Sequence, residues 1–157
     1  MSDESGFGGA PEGFAVESAT PDDRIDVLRV LDAAMLETDA ETVDAAIDVG
    51  DALVARFDRT GAVVGALVAT RPEPSRLHVD AVAVRRSRRG RGIGSALVAA
   101  AVRRAERDAA VDAVTAAFDR SLEAFYTDLG FDLDRDGDER DGDDQRKTDR
   151  LRGRRSF

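Results

Sequence analysis

The chain has no cysteine and no tryptophan, and it holds one tyrosine, one histidine and a single lysine among its 23 basic residues. Without cysteine there is no disulfide, no thiolate metal site and no cysteine nucleophile. No apolar run approaches the roughly 20 residues that a membrane-spanning helix needs, so no membrane partner is expected. The opening Met1-Ser2-Asp3-Glu4 is acidic, with neither a basic segment nor an apolar core. It does not read as a secretory signal, and a cytoplasmic location is the expectation. Aromatics are scarce, seven Phe and Tyr126, and none interleaves the arginines. A stacking platform for single-stranded nucleic acid is therefore not visible, and a nucleic-acid partner is not expected.

What the chain has in excess is acid: 32 Asp and Glu against 23 Lys and Arg, a formal charge of −9. Such a density of like charge repels itself at low ionic strength and is screened by salt. With little lysine and much alanine and valine, the composition is of a halophilic, haloarchaeal type. At 157 residues and 42% hydrophobic content, one domain with a real core is expected. Residues 1–13 read as a flexible leader and 14–157 as the domain.

Periodicity and turn signals set out the elements. Phe14–Ala19 reads as a strand. Thr20-Pro21-Asp22-Asp23 starts a helix, with a threonine cap, proline in the first turn and acids behind it. Ile25, Leu28, Leu31, Met35 and Leu36 then recur at helical spacing. Asp39–Val49 is a second helix with Val43, Ala46 and Ile47 on one face. Ala52–Phe57 and Ala62–Ala69 form a hairpin, Arg71-Pro72-Glu73-Pro74 a loop, and Leu77–Val84 a strand. Gly92–Asp108 reads as a helix, Ala113–Phe118 as a strand and Ser121–Leu129 as a helix. A last strand, Lys147–Leu151, pairs back as a hairpin. The fold class is α/β, with the order β-α-α-β-β-β-α-β-α-β and a mixed sheet, because a β-α-β unit brings its strands parallel. Asp132, Asp134, Asp136, Gly137 and Asp143 formally match a calcium loop. Glu139 stands where that loop wants an apolar residue, so an acidic hairpin loop is expected and no metal.

The junction between the 77–84 strand and its helix carries the chemistry. Arg88-Arg89-Gly90-Arg91-Gly92-Ile93-Gly94-Ser95 places glycines where helix N–H groups lack partners and a phosphate can approach. Arginines at 85, 86, 88, 89 and 91 surround it. A P-loop is excluded, because Ser95-Ala96 follow the last glycine rather than Lys-Ser/Thr. The dinucleotide fingerprint would need glycine at 95 and a strand running directly into the first glycine.

Arg89-Gly90-Arg91-Gly92-Ile93-Gly94 spells R-x-x-G-x-G and resembles the acyl-CoA pyrophosphate loop of the GNAT superfamily of N-acetyltransferases. Phe125-Tyr126 and Leu129-Gly130-Phe131 match a second family element, with Asp119 in place of the usual asparagine and Leu122 in place of a small residue. The resemblance implies a GNAT fold and acetyl transfer from acetyl-CoA to a primary amine, on a small molecule or a peptide, by direct attack. A homodimer is compatible with it. It implies a pyrophosphate site at Arg89, Gly90, Arg91, Gly92, Ile93, Gly94 and Ser95, and a pantetheine arm along Val82, Ala83 and Val84 that contacts Asp119. It implies Tyr126 as general acid and Asp80 as base. By alternation Asp80 shares a face with Val82 and Val84; His78 is placed on the opposite face. The acceptor itself is unread, although Glu37, Asp39 and Glu41 suit a cationic amine. The alternative is a non-catalytic acyl-CoA-binding or nucleic-acid-binding module on the same fold.

Overall fold

The computed structural model describes residues 11–36, 38–133 and 150–157. Seven strands form one sheet: β1 (Phe14–Ser18), β2 (Ala52–Phe57), β3 (Val63–Glu73), β4 (Arg76–Val84), β5 (Ala113–Asp119), β6 (Asp132–Leu133) and β7 (Arg150–Ser156). Their spatial order is β1-β2-β3-β4-β5-β7-β6. Every pairing is antiparallel except β4 with β5, which a crossover helix joins. The helices are α1 (Arg24–Ala33), α2 (Ala40–Val49), α3 (Ile93–Arg107) and α4 (Glu123–Asp128). The order is the expected α/β one, with the short β6 added before the last strand.

Two cores lie on opposite faces of the sheet. Val27, Val30 and Leu31 of α1 and Val43, Ala46 and Ile47 of α2 pack on Val54, Val63, Ala66, Val68, Ala81 and Ala83. Ile93, Leu97, Val98, Ala101, Val102 and Ala105 of α3 pack on the other face with Leu77, Val79, Val114, Ala116 and Phe118. Coverage on both sides explains why Val63–Ala69 is buried without interruption and reads as a continuous apolar run rather than an alternating one. The α3 axis can approach because β3 has glycine at 65. A Cβ there would lie 3.2 Å from both Ile93 Cγ2 and Leu97 Cδ1.

Four expectations are corrected. The buried stripe of α1 is Val27, Val30 and Leu31, whereas Ile25 is 56% and Met35 86% exposed. The helix stops at Ala33, and Met35 sits in the left-handed region at φ 63°, so the predicted stripe runs past the end of its helix. Residues 21–23 form a 3-10 turn ahead of α1, fastened by the Thr20 N–H donating to Asp23 Oδ2 at 2.9 Å. Arg71–Glu73 belongs to β3 rather than to a loop. The last strand is Arg150–Ser156, and most of the predicted Lys147–Leu151 lies outside the described residues. Residues 1–10 of the predicted leader and the core of the calcium-like loop, 134–143, lie outside them too.

At the base of the sheet Asp51, its side chain 2% exposed, is gripped in two places by Arg71. Arg71 Nε donates to Oδ2 at 2.9 Å and Nη2 to Oδ1 at 3.2 Å. Arg71 Nη1 also reaches Asp108 Oδ2 at 3.0 Å, and Arg104 Nη2 stands 3.7 Å from Asp51 Oδ1. The network ties β2, β3 and the end of α3 together.

Candidate functional site

The central geometric feature is a split in the sheet. The parallel register of β4 with β5 runs from Arg76↔Ala113 to Val79↔Ala116 and stops there, although β4 continues to Val84 and β5 to Asp119. On its other edge β4 stays paired with β3 as far as Gly65↔Val84. Arg85 N donates to Val64 O at 2.8 Å, which marks 85↔64 as a hydrogen-bonded pair. In an antiparallel ladder such pairs alternate, so Ala83 and Ala81 turn their N–H and C=O toward β3. Val82 and Val84 turn theirs toward the split, and Val84 O there accepts from Arg89 Nε at 3.2 Å. A ligand with amide groups can add along this edge as an extra strand. Of the three residues expected to hydrogen-bond there, Val82 and Val84 turn their backbone groups to the split, and Ala83 turns its own to β3.

The split opens at a bulge. Val68 pairs with Ala81 but Ala69 with Val79, which leaves Asp80 as the extra residue of β4. A bulge reverses side-chain alternation. Before it, Leu77 and Val79 face the α3 core; after it, Val82 and Val84 do, while Ala81 and Ala83 face the α1/α2 core. His78 is opposite Val82 and Val84 as expected, but through the bulge rather than through alternation. The alternation that placed Asp80 with Val82 and Val84 breaks at Asp80 itself, which is exposed.

At the far end of β4 the chain makes a 3-10 turn over Arg86–Arg88 and enters α3 at Ile93. Gly90 and Gly92 hold φ of 79° and 82°, a region that costs a residue with a Cβ about 1–2 kcal/mol. With Ala96 N bonded to Gly92 O at 3.0 Å, the preceding N–H groups of Ile93, Gly94 and Ser95 are those that a helix start leaves for an anion. The five arginines divide. Arg85 Nε donates to Val63 O at 3.1 Å, and the Arg88 guanidinium covers the Phe57 ring at 4.4 Å, so both brace the loop. Arg86, Arg89 and Arg91 are exposed around it. A Cβ on Gly94 would meet Val84 Cγ2 and the Phe125 ring at 3.8 Å, so this glycine lies where the strand edge, the loop and α4 converge.

Tyr126 lies on the α3 side of β5. It is 4% exposed within the α3 core, stacked on Phe118 at 4.1 Å with 13° between the planes. Phe125 and Phe131 meet its ring edge-on at 4.9 and 5.3 Å. Phe118 belongs to the part of β5 beyond Ala116, so the tyrosine flanks the split. Asp119 caps the turn that follows: its Oδ2 accepts from Ser121 N at 3.0 Å and Ser121 Oγ at 2.7 Å. His78 Nδ1 is 2.9 Å from Thr115 Oγ1. Burial pushes the imidazole below its usual value; Asp80 opposes that, and Arg76 and Arg152 add to it. The ring is therefore neutral at neutral pH. No group of three or more metal-ligating side chains occurs among the described residues, and no described helix is long and apolar enough to cross a membrane.

Sequence reading missed the bulge, the place of Phe125 against Gly94, and the arginines of β7. The alternating Arg-Leu-Arg-Gly-Arg of 150–154 was a usable signal for the last of these.

The acetyltransferase (GNAT) family model matches residues 25–131. Among solved structures the chain is similar to Arabidopsis thaliana Naa50 in complex with the bisubstrate analogue CoA-Ac-MVNAL, with TM-score 0.72 and 16% identity over 92% of this chain and 99% of that one. It is similar to Ard1 from Thermoplasma volcanium at TM-score 0.72 and 18% identity, over 92% and 98% of the two chains. It is also similar to Rv2747 from Mycobacterium tuberculosis in complex with CoA and NLQ, at TM-score 0.70 and 20% identity, over 91% and 99%. No curated protein sequence matches the chain.

Proposed function

Because the chain belongs to the acetyltransferase (GNAT) family, we propose that it moves an acetyl group from acetyl-CoA to a primary amine by direct attack. The observation that carries this is the split between β4 and β5, which leads from a glycine-rich helix start to a buried tyrosine. The residues present fit acetyl-CoA. The N–H groups of Ile93, Gly94 and Ser95 with Arg89 and Arg91 suit its pyrophosphate, and the Val82 and Val84 backbone suits its amide-bearing arm.

The protein's tasks in the reaction follow. The Val82 N–H, aimed into the split, polarises the thioester carbonyl. Asp80, exposed at the mouth of the bulge, accepts the proton of the attacking amine. Tyr126 donates a proton to the departing sulfur. A phenol, with a pKa of about 10, is protonated at neutral pH and so has a proton to give as negative charge gathers on the sulfur. Asp119 accepts hydrogen bonds from a passing amide, since a carboxylate cannot donate them.

Thiol release from acetyl-CoA, screened against amines, peptides and polyamines, tests the reading. Turnover with some amine is expected; salt-dependent RNA binding without any turnover would favour the non-catalytic module instead. Gly94→Val should weaken CoA binding at least tenfold by calorimetry. It leaves a helical backbone in place while it fills the junction of Val84 and Phe125. A folded variant with wild-type affinity would move the cofactor elsewhere.

Asp80→Asn should lower kcat/KM and change its pH profile, because the variant cannot accept the amine's proton. An unchanged profile would remove Asp80 from the mechanism. His78→Asn in parallel separates a direct effect from one passed through the imidazole, on which Asp80 acts electrostatically.

A further inference from the structure

The face of the sheet away from α3 carries a cavity of about 440 Å³ whose lining includes Arg76, His78, Thr115, Ala117, Arg152 and Arg154. Its position follows from register. His78 pairs with Thr115 across β4 and β5, and Thr115 with Arg154 and Ala117 with Arg152 across β5 and β7. These side chains share one face, because Val114, Ala116 and Phe118, which alternate with them, fill the α3 core. The cavity reaches Ala116 and Ala117, where β5 parts from β4. It therefore opens onto the start of the split from the side opposite α3, the helix that carries the glycine loop.

Its charge runs against that of the chain. In a protein with nine more acids than bases, the described residues of the lining include three arginines and a histidine and no acid. Two of these cationic groups are the least engaged among the described residues. Arg152 makes no hydrogen bond or ion pair among the described residues. Among the described residues Arg76 Nε is buried without a hydrogen-bond partner, and the rest of its guanidinium pairs with Glu73 at 3.6 Å. A buried donor left unpaired is costly, and more so when charged. Arg154 is already engaged: its Nε donates to Ser156 Oγ at 3.0 Å, its Nη2 lies 4.0 Å from Asp112, and Asp132 stands opposite it in register. His78, neutral and bonded to Thr115, adds a polar wall without a charge.

We infer that the acceptor amine carries an anionic group, a carboxylate or a phosphate, which Arg76 and Arg152 hold in this cavity while the amine enters the split. The guanidinium fork matches the oxygens of either group. This rests on the acetyltransferase reading and reverses the expectation, drawn from Glu37, Asp39 and Glu41, of a cationic acceptor.

The test compares L-glutamate and phosphoethanolamine with glycinamide and spermidine as acceptors at one fixed ionic strength. The two anionic amines distinguish carboxylate from phosphate. One or both should show the highest kcat/KM, and Arg152→Glu should lower that value about tenfold or more. Arg152→Gln should fall between the two proteins. CoA affinity should be retained in both variants, which shows that they are folded. Spermidine or glycinamide as the best acceptor, or an Arg152→Glu protein that keeps the wild-type order, would overturn the inference while leaving acetyl transfer intact. Calorimetry of L-glutamate and phosphoethanolamine with the CoA-saturated protein provides a reading independent of turnover. Binding that Arg152→Glu abolishes supports the anion site even if no acetylation occurs; no binding of either sinks it.

Discussion

Arg71→Leu should destabilise the folded chain by about 3 kcal/mol, roughly 6–12 °C in melting temperature for a domain of this size. The reason is asymmetry of burial. The Asp51 side chain is 2% exposed and that of Arg71 32%. Removing Arg71 strands a buried carboxylate whose remaining cation is Arg104 at 3.7 Å. Breaking a buried pair in this way costs about 3–5 kcal/mol, mostly as desolvation left uncompensated; the presence of Arg104 sets the lower end. Asp51→Asn should cost less than Arg71→Leu, since it leaves Arg71 and Arg104, each about one-third exposed, able to reach water and Asp108. The double variant should recover part of the loss. Thermal and urea unfolding at fixed ionic strength measure all three. An Asp51→Asn protein less stable than Arg71→Leu would mean that packing, not charge burial, governs this corner.

The place of the glycine loop, between β4 and α3, was legible because its backbone demands are written in residue type. The turn into α3 runs through Gly90 and Gly92, both in the left-handed region that favours glycine. The run Val63–Ala69 was legible as a strand, and its lack of alternation fits the cover on both faces. The split was not. Val82 and Val84 read as strand residues whether their N–H groups meet a neighbour or a gap, so the end of pairing at Val79↔Ala116 leaves no mark in β4. Nor was the bulge, because the polar Asp80 inside an apolar strand also fits an ordinary outward position.

On α1, two stripes compete at helical spacing. Val27, Val30 and Leu31 won because the helix ends at Ala33, and spacing alone does not say where a helix ends. Arg152 and Arg154 lie beyond the predicted last strand, Lys147–Leu151, and within the observed one. Alternation with Leu151 and Gly153, both buried, puts Arg152 and Arg154 on the face of His78 and Thr115, and only the partner strand shows that this face lines a cavity.

Tyr126→Phe should lower kcat about 100-fold or more while CoA affinity stays within a factor of about two. The ring is what packs: it stacks on Phe118 and meets Phe125 and Phe131 edge-on, and phenylalanine keeps every one of those contacts. The hydroxyl is what changes. In the proposed reaction its partner is the sulfur as negative charge gathers there, a partner absent from the ground state. An interaction made only in the transition state appears in kcat and leaves binding alone. A structural hydroxyl would behave differently: its loss from so buried a site would lower the unfolding temperature and leave kcat near wild type. Single-turnover acetyl transfer, CoA calorimetry and thermal unfolding on one preparation separate the two. A folded Tyr126→Phe protein with wild-type turnover would assign the hydroxyl to the core. Protonation of the leaving sulfur would then fall to solvent entering through the split beside Val82 and Val84.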